Sequence, residues 1–188
     1  MTKDGRQDSA ELENRIDLMK KVLFLDFDGV LNTEKYQTML RVEGYPRWDD
    51  FGQLFDPEAV ENLKMVLDAV PGVLLVINSS WKLEGLDRMK ELWRVRRLPG
   101  KIHSCTPDYV PDLMNIDLEN YDNIAMLAGK GNEVKQWIEE NAPEGCQYVI
   151  FDDMPDFLPE QEEHLVCTDP RVGISVKDVM LAIKILGE

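Results

Sequence analysis

Residues 21–32 read Lys21-Val22-Leu23-Phe24-Leu25-Asp26-Phe27-Asp28-Gly29-Val30-Leu31-Asn32. The run from Val22 to Leu25 is apolar without alternation. That is the pattern of a strand covered on both faces in a parallel sheet. Two carboxylates follow at its end, and then a glycine that permits a tight departure. Alternation in an extended segment sends Asp26 and Asp28 to the same side. Carboxylates placed so close repel each other unless a cation sits between them. A hard divalent ion such as Mg²⁺ takes oxygen donors of this kind. The competing reading is an acidic turn after a strand, with Asp28-Gly29 as ordinary turn chemistry.

The rest of the chain alternates around that segment. Asp56-Pro57-Glu58 opens a helix with an aspartate cap and a proline in the first turn, and Val60, Leu63, Leu67 and Val70 form its apolar face. Pro71-Gly72 ends it, and residues 73–77 are a second buried strand. Residues 84–96 predict an amphipathic helix with Leu86, Met89, Leu92 and Trp93 on one side. Residues 101–104 suit a third strand. Asn132 starts a further helix, with Val134, Trp137 and Ile138 facing inward. Residues 147–151 are a strong strand and residues 164–167 a weaker one. Ser175 caps a last helix whose face holds Val179, Ala182, Ile183 and Leu186. Strands alternating with helices predict an α/β fold: a doubly wound, Rossmann-like three-layer sandwich with a central parallel sheet. Such sheets bind ligands outside the carboxyl ends of their strands.

Composition narrows the classes. The chain has 188 residues, 44% hydrophobic and 30% charged, an ordinary globular balance. Lys and Arg total 21 against 36 Asp and Glu, a formal net charge of −15. That argues against broad non-specific binding to nucleic acid or anionic membrane. Cys105, Cys146 and Cys167 are widely spaced, and the histidines are His103 and His164. Neither a disulfide framework nor a Cys/His zinc site is supported. The charged opening residues predict no signal peptide, and the apolar runs fall short of the ~20 residues a membrane helix needs. The expectation is a soluble cytoplasmic protein with no membrane partner. Residues 1–20 predict an N-terminal helix or tail, with Leu12, Ile16 and Met19 on one face. Residues 21–188 predict a single domain with a flap at about residues 32–55.

Three further signals fall at predicted strand ends or helix starts. Ser79 and Ser80 follow the second strand, where hydroxyls suit a phosphoryl oxygen but also serve as turn caps. Lys130 lies between Gly129 and Gly131, just before the predicted helix. An anion shared with the helix N-terminus would explain a cation there, and a solvated surface lysine is the alternative. Asp152-Asp153 ends the later strand. These acids are either a second part of a metal site or an acidic loop in an acidic protein.

The four signals in this order resemble the haloacid dehalogenase-like superfamily of phosphohydrolases, from about Lys21 to the C-terminus. Ser79-Ser80-Trp81, residues 133–138 and Thr168-Asp169-Pro170 are similar to a small, nearly capless branch related to phosphatase domains of nucleic-acid repair proteins. The resemblance implies an Mg²⁺-dependent phosphomonoester hydrolase working through an aspartyl-phosphate. Asp26 would be the nucleophile, and Asp28 the general acid and then base, with a pKa raised by partial burial and a neighbouring carboxylate. Ser79 and Ser80 would bind phosphate. Lys130 would pair with Asp26 and the phosphate. Asp26, the Asp28 carbonyl and Asp153 would hold the metal, with Asp152 as supporting or alternate ligand. The Asp-Asp pair departs from the family's Gly-Asp, and Lys82 stands where the branch often has Arg.

The small flap implies an open site. It carries Tyr36, Arg41, Tyr45, Arg47 and Trp48, a mix suited to a nucleotide, although packing the flap onto the domain is the expected use of Trp48. In residues 81–101, Lys82, Arg88, Lys90, Arg94, Arg96, Arg97 and Lys101 outnumber Glu84, Asp87 and Glu91. That segment is either a patch guiding an anionic chain or a solvated helix face. The expected partner is a phosphorylated small molecule, with a phosphorylated nucleic-acid end as the alternative and no protein partner implied. A non-catalytic phosphate-binding domain is the alternative outside enzymes.

Overall fold

A computed structural model of the chain describes residues 20–110 and 129–187. The predicted helix or tail before Lys20 and the stretch 111–128 lie outside the described residues.

Five strands form one sheet: β1 (Lys21–Leu25), β4 (Leu74–Ile77), β5 (Ile102–Cys105), β6 (Gln147–Asp152) and β7 (Leu165–Cys167). Their order is β5-β4-β1-β6-β7, and every pairing is parallel. The chain moves outward from β1 to β5 and then returns to β6 on the other side of β1. The strand order therefore reverses between β1 and β6, and a crevice opens beyond their carboxyl ends.

The two-sided burial of the strands accounts for their unbroken apolar runs. Leu23, Leu25, Leu75, Ile77, Val149 and Phe151 pack on one face. There they meet α2 (Pro57–Ala69), α3 (Leu86–Val95) and α5 (Val176–Gly187) through residues such as Leu63, Met89, Leu92 and Val179. Val22, Phe24, Val76 and Ile150 pack on the other, against Val134 and Trp137 of α4 (Gly129–Asn141). Leu23 stands beside Leu75 and Val149, and Phe24 beside Val76 and Ile150. A one-residue slip would exchange the two faces along a whole strand. The fold is the predicted α/β sandwich.

The segment between β1 and α2 is a small flap. It holds α1 (Glu34–Glu43) and a short hairpin of β2 (Trp48–Asp49) and β3 (Gly52–Gln53). Thr33 caps α1 by accepting from the Tyr36 N–H, and its hydroxyl donates to Asp56 at 2.7 Å. Asp56 in turn caps α2 through the Glu58 N–H. Both ends of the flap are thus tied to one buried Thr–Asp pair.

Several expectations need correction. The helix predicted over 84–96 is α3, trimmed to Leu86–Val95, because Gly85 (φ 96°) turns the chain between it and a preceding 3₁₀ turn (Ser80–Glu84). The third strand runs one residue later than predicted. The helix expected from Asn132 begins at Gly129, so Lys130 lies within its first turn rather than before it. Trp48 does not pack the flap down; it is 55% exposed. Trp81 fills that role, its ring 5.7 Å from Phe55 and 5.5 Å from Phe27.

Candidate active site

Asp26 follows β1 directly and is buried. Its N–H continues the ladder to the Phe151 carbonyl at 3.0 Å. One carboxylate oxygen accepts from the Phe27 N–H at 2.7 Å, and the other accepts from Lys130 Nζ at 2.6 Å. Lys130 also donates to Asp152 at 2.6 Å. Asp26 continues the parity of Phe24, and Asp152 that of Ile150. Both therefore emerge toward the face that α4 covers, and α4 supplies the lysine.

The strand stops at Leu25, so a turn rather than strand alternation sets Asp28. The Leu31 and Asn32 N–H groups return to the Phe27 carbonyl at 2.9 and 3.0 Å. Asn32 then donates from its side chain to Asp28 Oδ1 at 2.6 Å, and the Trp81 indole donates to Oδ2 at 3.0 Å. Asp28 is exposed, not part-buried as the resemblance implied. Gly29 has φ 67°, and a Cβ there would come within 2.4 Å of Asp153 Oδ2. This position needs glycine for its backbone angle and for the close approach of Asp153. Thr168 braces the turn by donating to the Gly29 carbonyl at 2.9 Å.

Asp152 and Asp153 have separate surroundings. Asp152 is fully buried; one oxygen accepts from the Met154 N–H and the other from Lys130. Burial, and then the charge of Asp26, push its pKa up to about 6 against the opposing pull of Lys130. Asp153 is half-buried and is raised by burial, then by Asp26 and, more weakly, Asp28. Burial would lower the Lys130 pKa, but the Asp26 and Asp152 charges outweigh it and raise it. The lysine stays an ammonium at any physiological pH.

Carboxylate oxygens of Asp26, Asp152 and Asp153 lie within 4.8 Å of one another. One ammonium group faces three carboxylates. This surplus of negative charge on hard oxygen donors is what a divalent cation such as Mg²⁺ requires, so the residues fit the implied metal.

Ser79 is buried at the tip of β4, and its oxygen accepts from the Trp81 N–H at 3.4 Å, capping the 3₁₀ turn. Ser80 is exposed. Beside them Asn78 is 1% exposed, and its side-chain N–H₂ has no hydrogen-bond partner among the described residues.

The basic segment is largely committed to structure. Lys82 is buried, hydrogen-bonded to the Thr106 and Pro107 carbonyls and paired with Glu133 at 2.9 Å. Arg96 grips Asp49 of the flap with two bonds, at 2.7 and 3.0 Å. Arg88 lies 4.1 Å over the Phe51 ring. Lys90, Arg94, Arg97 and Lys101 remain exposed.

Sequence reasoning gave no role to Asn32 or Trp81, the two donors to Asp28. The four-residue spacing from Asp28 to Asn32 was the available signal for the first. The Ser79-Ser80-Trp81 motif marks the second, but its reach to Asp28 depends on the fold.

The family model described as the HAD domain in Swiss Army Knife RNA repair proteins matches residues 22–179. The chain belongs to that family. The match runs from the second residue of β1 to the first turn of α5 and includes every residue of the site just described. It makes the chain a HAD domain of the phosphatase-type hydrolase class, related to nucleic-acid repair proteins. No curated protein matches the chain. Among the described residues, no helix is long and apolar enough to cross a membrane.

Proposed function

We propose that this chain is an Mg²⁺-dependent phosphomonoester hydrolase that works through a phosphoryl group carried on Asp26. The observation that carries the reading is the pairing of Asp26 with Lys130 at 2.6 Å, beside a second aspartate, Asp28, held by two donors. A phosphate-binding domain has no need for a nucleophile and a proton donor side by side.

In the first step an Asp26 carboxylate oxygen bonds to phosphorus. The bond from phosphorus to the leaving oxygen breaks, and Asp28, entering as the acid, gives that oxygen its proton. In the second step Asp28, now a carboxylate, takes a proton from water. The water oxygen bonds to phosphorus, and the bond to Asp26 breaks, releasing orthophosphate and restoring the carboxylate. Lys130 stabilises charge on the phosphoryl oxygens. The Ser79 hydroxyl accepts from a backbone N–H and still has its own proton to donate to a phosphoryl oxygen. Asn78 has an uncommitted N–H₂ at the same strand tip.

Asp26 and Asp153, with the Asp28 carbonyl, would hold Mg²⁺, and the ion would neutralise charge developing on the phosphoryl group. Asp152 is fully buried behind Lys130 and the Met154 N–H, whereas Asp153 is half-buried at the rim, so the role of Asp152 is to orient the lysine. Asp153 is then the direct ligand of the pair.

The test is phosphate release from p-nitrophenyl phosphate by the purified protein. Turnover should require Mg²⁺, stop with EDTA and vanish in Asp26→Asn. Turnover that persists in Asp26→Asn would exclude Asp26 as nucleophile, and metal-independent turnover would exclude the Mg²⁺ assignment.

A further inference from the structure

Beside Asp28 lies a groove of about 460 Å³ that no catalytic step above uses. Its walls are the flap hairpin, through Trp48, Phe51 and Gln53, and the 3₁₀ turn, through Trp81 and Leu83. Trp48 and Leu83 are 55% and 71% exposed, an unusual state for two large apolar side chains next to a reactive carboxylate. The Trp81 indole forms one wall and at the same time donates to Asp28.

The walls are built to hold their positions. Arg96 binds Asp49 with two bonds and donates to the Gly52 carbonyl at 3.2 Å, and its guanidinium lies 4.5 Å over Phe55. Arg88 stacks on Phe51 and donates to the Asp50 carbonyl. Gly52 lies so close to the Trp81 ring that a Cβ would come within 2.7 Å of it. Arg88 of α3 and Arg96 at its C-cap thus fix the hairpin that presents Trp48. An aromatic face fixed in advance loses little entropy when a ring stacks on it.

Position defines what the groove receives. Asp28 protonates the leaving oxygen in the proposed mechanism, so the group attached to that oxygen lies next to Asp28. Charge defines its chemistry. Among the described residues the groove is lined by the carboxylates of Asp28 and Glu84 and by no cation, and Arg47 approaches the Trp48 ring to 6.0 Å without lining the groove. It repels a second phosphate and accepts a neutral body. An exposed indole beside a second aromatic wall favours a flat ring over an aliphatic chain.

We infer that this groove is the leaving-group site, and that it selects phosphomonoesters of nucleosides by stacking the base on Trp48. The inference rests on the hydrolase reading for its orientation, and Trp48 is its specificity-determining residue. The exposed cations of α3 play no part in it, because none lines the groove.

The test compares adenosine monophosphate (the 5′ and 3′ isomers separately) with glycerol phosphate, in the wild type, Trp48→Ala and Trp48→Phe. Base stacking on an aromatic side chain supports an effect of about tenfold. The ratio of kcat/KM for at least one nucleotide isomer over glycerol phosphate should fall about tenfold in Trp48→Ala, through KM. Trp48→Phe should restore most of it. A second readout needs no turnover: adenosine should quench the intrinsic tryptophan fluorescence saturably, and Trp48→Ala should abolish that response. An unchanged ratio, or quenching that survives in Trp48→Ala, would overturn the groove assignment while leaving the hydrolase intact. If neither ester releases phosphate, the hydrolase reading fails, and the quenching arm alone decides whether the groove binds a base.

Discussion

Two lysines lie near the carboxyl edge of the sheet, each between two acids, and they do different work. Lys82, on the β4–β5 side, pairs with Glu133 and Asp108 and donates to the Thr106 and Pro107 carbonyls. Lys130, on the β1–β6 side, pairs with Asp26 and Asp152. The Lys82 side chain is 6% exposed, and it holds the Thr106 and Pro107 carbonyls, the Thr106 hydroxyl, Asp108 and Glu133, so it is a tie between the end of β5 and α4. The Lys130 side chain is 30% exposed, and its partners are carboxylates at the topological switch point. An ammonium group has three protons, and Lys130 places two on those carboxylates. A phosphoryl oxygen can take the third. A buried, paired lysine is defined by what its partners do. Backbone partners make a brace, and strand-tip carboxylates make a site.

The sharpest way to break this comparison is to remove each lysine in turn. Lys130→Met should lower kcat by roughly 10²–10³, the cost of losing one oriented charge in a phosphoryl-transfer site. Its circular dichroism should stay that of the folded protein, with some loss of stability because Asp26 and Asp152 lose their cation. Lys82→Met should cost stability without costing turnover. It strands Glu133 (14% exposed side chain) without its cation, and breaking such a pair costs about 3 kcal/mol. Urea denaturation should read that loss, and kcat per folded molecule should stay within about twofold. Adding Glu133→Gln to Lys82→Met should recover part of the stability. Equal activity losses in the two lysine variants would erase the distinction.

A smaller effect sharpens the β1–β6 side. The Asp152 carboxyl titrates at about 6 before metal binds, because burial and Asp26 hold its proton. A raised acid keeps its proton up to higher pH, and a bound cation favours the ionised form. The apparent Mg²⁺ affinity should therefore rise as pH increases through about 6 and level off above it. Isothermal titration at several pH values would show this, and Asp152→Asn should flatten the rise.

Much of this was legible from residues alone. The strands were legible because burial on both faces removes alternation, and Val22–Leu25 and Tyr148–Phe151 have none. The convergence of Asp26, Lys130, Asp152 and Asp153 was legible because a doubly wound sheet gathers strand ends and helix starts at one edge. The helix start at Lys130 was not. Glycine at 129 and 131 argues against helix, yet a Cβ at Gly131 would come within 2.9 Å of the Leu158 nitrogen, so tertiary packing demands glycine inside the helix. Nor could residue type say which tryptophan packs. Trp81 fills the Phe27–Phe55 cluster and leaves Trp48 outside. The roles of Asp152 and Asp153 were blurred in the sequence for the same reason. Only the meeting of β6 with α4 gives one of them to the lysine.

The central claim is that Asp26 carries the phosphoryl group, and chemical trapping tests it most directly. Borohydride added during steady-state turnover reduces an aspartyl-phosphate to homoserine, which peptide mass spectrometry locates. The account predicts homoserine at residue 26 only in the presence of substrate and Mg²⁺, and more of it in Asp28→Asn with p-nitrophenyl phosphate, whose leaving group needs no acid, so that only the second step is slowed. Turnover with residue 26 unmodified, or homoserine at Asp28 or Asp153 instead, would contradict it.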